Sequence, residues 1–280
     1  MKSLSKLLLG LKQSYYSEKI QKVLIKLNLH TVIKNIYYNI YQWSLDRVRT
    51  ENILGFNMQF YQDSYVEHKQ INTSLGEVPI IRQIVAHCQP EDVVFDIGGN
   101  IGIHACLIRK SMGDDGGEKV ISFEPHPSNA ERLRQNAELN QVSIRTEQMA
   151  LSNKQGTVTL HSADRRPGEG KHALRTNTES DSNSIEVESI PGDLYIERSS
   201  CPVPNILKID VEGAEYQVLQ GLSDTLQKEQ CRAVFMEVHR SKLSVFETTV
   251  GEIEQYLKEK GFTINVIYDR DSEYFIKATK

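Results

Sequence analysis

The chain lacks long hydrophobic runs, and its cysteines are not clustered. No apolar stretch approaches the roughly 20 residues that a membrane-spanning helix needs. The first residues have neither the apolar length nor the cleavage site of a signal peptide. The four cysteines form no CxxC pair, which argues against a zinc site and a disulfide framework; they are Cys88, Cys106, Cys201 and Cys231. We therefore expect a cytoplasmic protein that spans no membrane.

Positive charge is scarce outside the first 50 residues. Residues 1–50 contain nine Lys and Arg against Glu18 and Asp46, so the net charge of −4 divides into +7 for this segment and −11 for the rest. Nucleic acid binding needs a basic surface that displaces counterions from phosphates. We therefore expect no nucleic acid partner.

The basic segment has apolar residues at helical spacing between residues 4 and 44, which predicts two or three amphipathic helices. We interpret residues 1–60 as a helical N-terminal extension and residues 61–280 as the main domain. The extension has two interpretations. In the first, its apolar face packs on the main domain or on a second subunit. In the second, its lysine-rich face binds anionic headgroups and holds the protein at the inner face of the membrane.

From about residue 77, short apolar runs alternate with helical segments, as is typical of βαβ units in a parallel sheet. Strands are predicted at 92–96, 119–124, 143–148, 206–210 and 232–238, and helices near 78–88, 102–112, 127–140, 214–227 and 250–260. The predicted additions are β-rich segments at 157–161 and 184–190 and a hairpin formed by 262–268 and 274–278. The polar residues 162–183 predict a long loop that we expect to cover the substrate. The fold class is therefore α/β.

A dinucleotide-binding G-x-G-x-x-G loop is also absent. The first predicted strand continues into Asp96-Ile97-Gly98-Gly99-Asn100-Ile101-Gly102, where Asn100 stands at a position that this pattern reserves for glycine. Ligands of open parallel sheets bind beyond the carboxyl ends of the strands. The loop is therefore a candidate cofactor site of a kind other than a nicotinamide site.

Two acids sharpen this interpretation. S-adenosylmethionine has no pyrophosphate but carries an ammonium group, and Asp96 is placed to supply the opposite charge directly or through water. Glu124 ends the second predicted strand, 22 residues beyond Gly102, where an acid can accept hydrogen bonds from both ribose hydroxyls. Together they predict S-adenosylmethionine as the cofactor.

The chain resembles the FkbM family of class I methyltransferases. The matching blocks lie within about residues 90–240 and include FDIGGNIGIHA, ISFEPHPSNAERLRQN, LKIDVEGAEYQVLQGL and VFMEVH. The resemblance implies a Rossmann-like fold, in which helices flank a seven-stranded, mostly parallel sheet. It also implies O-methyltransferase activity, and we expect a sugar hydroxyl of a glycan or glycoconjugate as the acceptor. The alternatives are a natural product or lipid acceptor, and a non-catalytic protein that retains the fold.

The resemblance also implies roles for individual residues. Asp96, Gly98, Asn100 and Glu124 would hold the methionyl and ribose portions of the cofactor, within the loop that includes Gly99 and Gly102. Three residues after the third strand would border the adenine; they are Ala150, Leu151 and Ser152.

Methyl transfer to a hydroxyl needs an oriented acceptor and a group that takes its proton. Four candidates follow neighbouring predicted strands, namely Asp210, Glu212, Glu237 and His239. His239 suits a proton acceptor because the ordinary pKa of histidine is near 6.5. Alternatively, Asp210, Glu237 and His239 bind a divalent ion that acidifies the hydroxyl. A purely structural role at the strand ends is the third possibility.

Overall fold

The computed structural model describes residues 43–113, 117–161, 167–168, 173–175, 184–269 and 273–280, with residues 26, 32, 38, 40 and 41. The helices predicted between residues 4 and 44 lie almost entirely outside these ranges. Within them, no helix has the length and hydropathy to cross a bilayer.

The described residues form strands and helices that alternate along most of the chain. The strands are β1 (Val48–Ile53), β2 (Phe56–Tyr61), β3 (Val94–Ile97), β4 (Val120–Phe123), β5 (Ile144–Glu147), β6 (Ala150–Ser152), β7 (Gly156–His161), β8 (Ala173–Arg175), β9 (Ser184–Pro191), β10 (Ile206–Ile209), β11 (Ala233–His239), β12 (Thr263–Asp269) and β13 (Glu273–Thr279). The helices are α1 (Tyr65–Gly76), α2 (Val78–His87), α3 (Ile103–Ser111), α4 (Pro127–Leu139), α5 (Gly192–Ser199), α6 (Glu215–Gly221), α7 (Ser223–Gln227), α8 (Arg240–Leu243) and α9 (Val250–Glu259), with a 3₁₀ turn at Ser244–Phe246.

A seven-stranded sheet with the order β12-β13-β11-β10-β3-β4-β5 forms the centre of the domain. The strands from β11 to β5 run parallel to one another. β13 pairs antiparallel with both β11 and β12. This arrangement confirms the predicted α/β fold with a mostly parallel sheet and a terminal hairpin.

The two faces of the sheet are covered by different helices. Because side chains alternate along a strand, Phe95 packs on one face in a core shared with α6 and α9, while Val94 packs on the other face with α2 and α3. All residues of β3, β4 and β10 are buried, as expected for parallel strands with helices on both sides. The covered faces leave the carboxyl edge of the sheet as the place where loops meet.

Several elements differ from the sequence prediction. The predicted helix 214–227 is interrupted at Leu222 and forms α6 and α7. A small sheet with the order β6-β9-β7-β8 lies outside the main sheet. Of the loop predicted at 162–183, only residues 167–168 and 173–175 are described, and the latter form β8.

The end of the range assigned to the helical extension is a β-hairpin, not a helix. β1 and β2 pair through a turn at Leu54 and Gly55. The edge of β2 is hydrogen bonded to α4, because the Asn140 and Asn136 side chains accept from the backbone of Gln59 and Tyr61 at 2.8 and 3.0 Å. The hairpin therefore packs on the main domain. The boundary predicted at residue 60 stays a prediction.

Candidate active site

A cavity of about 520 Å³ opens at the carboxyl ends of β3, β4, β10 and β11. Most residues predicted to form the site line this cavity, namely Gly98, Gly99, Asn100, Glu124, Ala150, Leu151, Asp210, Glu212, Glu237 and His239. The adjacent carboxyl ends of parallel strands bring these distant parts of the sequence together. The prediction that they form one site is therefore consistent with their placement.

The loop that follows β3, residues 98–102, contains three glycines and is called the glycine loop. It lies against the end of β10. Gly98 has a φ of +85°, and a Cβ atom there would lie 1.9 Å from the backbone oxygen of Asp210. Only glycine fits this close approach. Asn100, two residues after Gly98, also has a positive φ, of +48°. Its buried Oδ1 has no hydrogen-bond partner among the described residues. This oxygen is therefore an unsatisfied acceptor in the wall of the cavity.

Glu124 is buried at the end of β4 and joins two loops. Its Oε2 accepts from the backbone N–H of Asn100 at 2.8 Å, and its Oε1 accepts from the N–H of His126 at 2.9 Å. The side chain of Asn129 donates a longer bond of 3.4 Å. Burial raises the pKa of Glu124 to about 7, although these hydrogen bonds oppose the rise. Its charge therefore changes within the neutral pH range.

Asp96 does not line the cavity. Its side chain is 0% exposed beneath the glycine loop. Its Oδ1 lies 3.0 Å from Lys208 Nζ, and its Oδ2 accepts from Ser122 Oγ at 2.8 Å. The sequence-based prediction was that Asp96 reaches the ammonium group directly or through water, and direct contact does not fit this placement. Asp96 instead anchors the lysine of the neighbouring strand.

Lys208 connects the loop, the buried acid and the cavity. Its Nζ donates to the backbone oxygen of Gly98 at 3.0 Å and lies 3.7 Å from Asp210 Oδ2. Burial lowers the pKa of Lys208, but the charges of Asp96 and Asp210 outweigh burial and raise it above its ordinary value. Lys208 is therefore a buried cation that holds the ends of β3 and β10 together.

Asp210 lies next to Lys208 and lines the cavity. The side chain of Asp210 is 30% exposed. Burial raises its pKa, but the charges of Lys208, His239 and His104 outweigh this effect and lower it. Asp210 is therefore an accessible carboxylate that stays ionised at neutral pH.

His239 ends β11 among four acids. Its Nδ1 lies 2.9 Å from Glu215 Oε1. Its Nε2 lies 3.6 Å from Glu212 and 3.9 Å from both Asp210 and Glu237. Burial lowers its pKa, but the bond to Glu215 and the surrounding carboxylates raise it to about 9. A histidine that is protonated at neutral pH cannot accept a proton, so the expectation that His239 is the base does not fit the site.

The other two residues predicted to be catalytic are Glu212 and Glu237. Glu212 forms an ion pair with Lys242 of α8. Glu237 is largely buried at the end of β11. In the described part of the chain, no three His, Cys, Asp or Glu side chains are grouped so that they could hold a metal ion. The alternative of a divalent ion at Asp210, Glu237 and His239 therefore gains no support from the geometry.

Besides Asp96, two further predicted cofactor residues, Gly102 and Ser152, lie behind the cavity wall. A Cβ atom at Gly102 would lie 2.7 Å from the Leu133 side chain, so this glycine allows α3 and α4 to pack closely. The backbone oxygen of Ser152 lies against Gly221 of α6. Both residues support the cavity without lining it.

One wall of the cavity was not predicted from the sequence. Helix α1 contributes this wall through Tyr65, Val66, Lys69, Gln70, Thr73 and Ser74. Beside it, Glu77 pairs with His104 at 3.0 Å. The S-x-x-E pattern of Ser64 and Glu67 is a signal for the start of this helix, and the Ser64 side chain does accept from the Glu67 N–H.

Comparisons with known proteins identify the family to which the chain is similar. Residues 96–264, more than half of the chain, match the methyltransferase FkbM domain. The hexuronic acid methyltransferase AglP of Haloferax volcanii is 29% identical over 67% of this chain and 72% of that protein. The 31-O-demethyl-FK506 methyltransferase FkbM of Streptomyces tacrolimicus is 30% identical over 63% of this chain and 74% of that protein.

A solved structure of a methyltransferase FkbM from Methylobacillus flagellatus superposes with a TM-score of 0.45 and 14% identity. The match covers 69% of this chain and 44% of that chain.

Proposed function

Because the chain belongs to the FkbM family of S-adenosylmethionine-dependent methyltransferases, we propose that it methylates a hydroxyl group of a sugar in a glycan or glycoconjugate. The observation that carries this proposal is the position of Asp210. Its backbone oxygen touches the glycine loop at Gly98, and its ionised side chain faces the cavity. A proton acceptor therefore lies beside the loop that is expected to hold the methyl donor.

The residues around the glycine loop fit the proposed cofactor. The unsatisfied Oδ1 of Asn100 is an acceptor for the ammonium group of the methionyl portion, and it makes the direct contact that the buried Asp96 cannot make. Glu124 is in place to accept hydrogen bonds from ribose hydroxyls. Ala150 and Leu151, with Phe123 and Met149 beside them, form an apolar surface for the adenine. When bound, S-adenosylmethionine supplies an electrophilic methyl group on a sulfonium ion.

Asp210 is the proton acceptor in this proposal. A hydroxyl is a weak acid, but it becomes more acidic as its oxygen bonds to the methyl carbon, so an ionised carboxylate can take the proton during the transfer. Lys208 and His239 keep Asp210 ionised between reaction cycles. Glu212 and Glu237 line the same part of the cavity, where they can accept hydrogen bonds from other hydroxyls of the acceptor and orient it.

A sugar acceptor suits the wall formed by α1. Gln70 and Thr73 offer uncharged polar groups for hydroxyls. The ring of Tyr65, which stacks on Tyr38, adds aromatic surface to the same wall. The relative named as a hexuronic acid methyltransferase supports the same class of acceptor. The relative that acts on 31-O-demethyl-FK506 supports a natural product as the second candidate.

Glycans isolated from the source organism and from a deletion strain would test the acceptor most directly. We expect a methyl ether that the deletion strain lacks and that the purified enzyme restores with S-adenosylmethionine. Identical methylation in both strains would contradict the glycan proposal. A product found only among small molecules would support the second candidate.

The role of Asp210 is tested by Asp210→Asn, which removes the charge and nearly preserves the shape. Because a general base contributes roughly 10²–10⁴-fold to the rate, we expect kcat to fall within that range. Calorimetry should give a Kd for S-adenosylmethionine close to that of the wild type. The matched control is Asp193→Asn, because Asp193 accepts hydrogen bonds from Asp224 and Thr225 away from the cavity. An Asp210→Asn enzyme with wild-type kcat would exclude Asp210 as the base.

A further inference from the structure

Glu215 is a buried acid next to the candidate active site, and none of the roles described above involves it. It begins α6, and its side chain is 0% exposed. It does not line the cavity. A buried carboxylate is costly unless hydrogen bonds and an opposite charge compensate it. The contacts of Glu215 therefore show which groups stabilise its buried carboxylate.

One oxygen of Glu215 makes all of its hydrogen bonds among the described residues. Its Oε1 accepts from His239 Nδ1 at 2.9 Å, from the backbone N–H of Gly213 at 3.0 Å, and from the backbone N–H of His239 at 3.4 Å. Its buried Oε2 has no hydrogen-bond partner in the described part of the chain. The counter-charge that Glu215 contacts is therefore the protonated His239.

The bond from Nδ1 sets the direction of the His239 ring. The second torsion of a histidine side chain is broad and roughly two-fold, so packing alone defines the ring orientation weakly. With Nδ1 bound to Glu215, Nε2 lies 3.6 to 3.9 Å from the carboxylates of Glu212, Asp210 and Glu237. The positive ring edge therefore faces the cavity acids.

The same oxygen of Glu215 also holds the turn after β10. Glu212 and Gly213 have φ angles of +56° and +111°, and a Cβ atom at Gly213 would lie 2.8 Å from Lys242 Cβ. This strained turn begins two residues after Asp210, and Glu215 accepts a hydrogen bond from its Gly213 N–H. Glu215 thus ties the end of β10, which carries Asp210, to the end of β11, which carries His239.

We propose that Glu215 is a positioning residue for methyl transfer, which holds the His239 ring so that Nε2 lies among the carboxylates of Glu212, Asp210 and Glu237. The inference rests on the proposed role of Asp210 as the proton acceptor. Glu215 itself touches neither cofactor nor acceptor, because it lies behind His239. It acts by keeping the positive ring edge beside the carboxylate that takes the proton.

Glu215→Gln tests this role, because the amide retains an oxygen acceptor of similar size and loses the negative charge. NMR titration of ¹⁵N-labelled histidine should show the pKa of His239 falling from about 9 toward its ordinary value near 6.5. We expect kcat to fall by about tenfold or more, because the His239 ring beside Asp210 would lose the partner that orients it, and small displacements in an active site cost up to about 10²-fold. KM and the Kd for S-adenosylmethionine should stay within about twofold of wild type, since binding residues are untouched. Asp193→Asn serves again as the control and should leave kcat and the His239 titration unchanged.

A double-mutant cycle separates positioning from a general structural effect. If Glu215 acts through His239, the loss of kcat from Glu215→Gln should largely disappear in a His239→Asn background. Additive losses, or a His239 titration unchanged by Glu215→Gln, would overturn the proposal. If the wild-type enzyme methylates no acceptor, the proposed function fails, while the titration still decides whether Glu215 controls His239. If Glu215→Gln does not fold, the wild-type spectrum decides, because the proposal requires a hydrogen-bonded Nδ1 proton and a protonated ring at neutral pH.

Discussion

Replacing Lys208 by methionine removes the positive charge from the centre of the site and nearly preserves the length of the side chain. Among the residues that the structure describes, Asp96 would then be a fully buried carboxylate that keeps its hydrogen bond from Ser122. The backbone oxygen of Gly98 would also lose its bond from Nζ. Breaking a buried ion pair by removing one partner costs about 3–5 kcal/mol. We therefore expect Lys208→Met to lower the free energy of unfolding by about that amount.

The double variant Asp96→Asn/Lys208→Met tests the reason for this loss. It removes both buried charges and retains the hydrogen bond from Ser122 to the side chain at position 96. Residues in one ion-pair network couple by about 0.5–3 kcal/mol, so the double variant should be more stable than Lys208→Met alone. The matched control is Lys258→Met, which removes an exposed pair with Glu254 and should change stability by about 0.5 kcal/mol or less.

Urea unfolding followed by circular dichroism gives the free energies of unfolding, provided that the slope against urea is unchanged. A loss below about 1 kcal/mol for Lys208→Met would refute the burial argument, and so would a double variant that is as unstable as the two single variants summed. Calorimetry on the same proteins tests Asp96 as a ligand. If Asp96 only anchors Lys208, the double variant should still bind S-adenosylmethionine.

Two further predictions concern the cofactor and the N-terminal segment. The pKa of Glu124 is about 7, so its carboxylate is protonated as pH falls through 7, and we expect the affinity for S-adenosylmethionine to weaken in that direction. Glu124→Gln should weaken binding at pH 8 and abolish the pH dependence, and an unchanged slope in calorimetry would assign the titration to another group. Trp43, within the basic segment, is 83% exposed, and we expect the chain to float with vesicles that contain anionic lipid but not with neutral vesicles. Flotation with neither would favour packing of residues 1–42 on the domain or on a second subunit.

The sequence predicts those parts of the fold that have strong local patterns. The buried strands β3, β4 and β10 appear in the sequence as short apolar runs. A recognisable glycine-rich or acidic segment follows each run; the glycine loop follows β3, for example, and Glu124 follows β4. The hairpin β1–β2 has no such signal, because its turn contains Leu54 at a φ of +53° where Asn or Asp before glycine is the usual pattern. Helix α1 begins with a recognisable S-x-x-E pattern but has only weak amphipathicity.

The arrangement of charges in the site depends on which strands are neighbours, and the sequence does not specify this. Lys208 stands directly beside Asp96 in the sheet, although 112 positions separate them along the chain. When the register is unknown, Asp96 is interpreted as an acid at a strand end that could bind an ammonium group. The register shows that Asp96 is the buried partner of a lysine. The protonation of His239 similarly depends on Glu215, which belongs to a different element.

These contacts form a continuous series of alternating charges across four elements. Asp96 of β3 pairs with Lys208 of β10, Lys208 lies next to Asp210, Asp210 faces His239 of β11, and His239 is bound to Glu215 of α6. Of the five, Asp210 is the most exposed. Its two cationic neighbours keep it ionised and make it a weak base, so it cannot remove a proton from a free hydroxyl. Such a base is sufficient for methyl transfer, because the acceptor oxygen becomes strongly acidic only as it gains the methyl group. The site therefore favours proton removal during or after the transfer, and an acceptor that must be deprotonated first would not suit it.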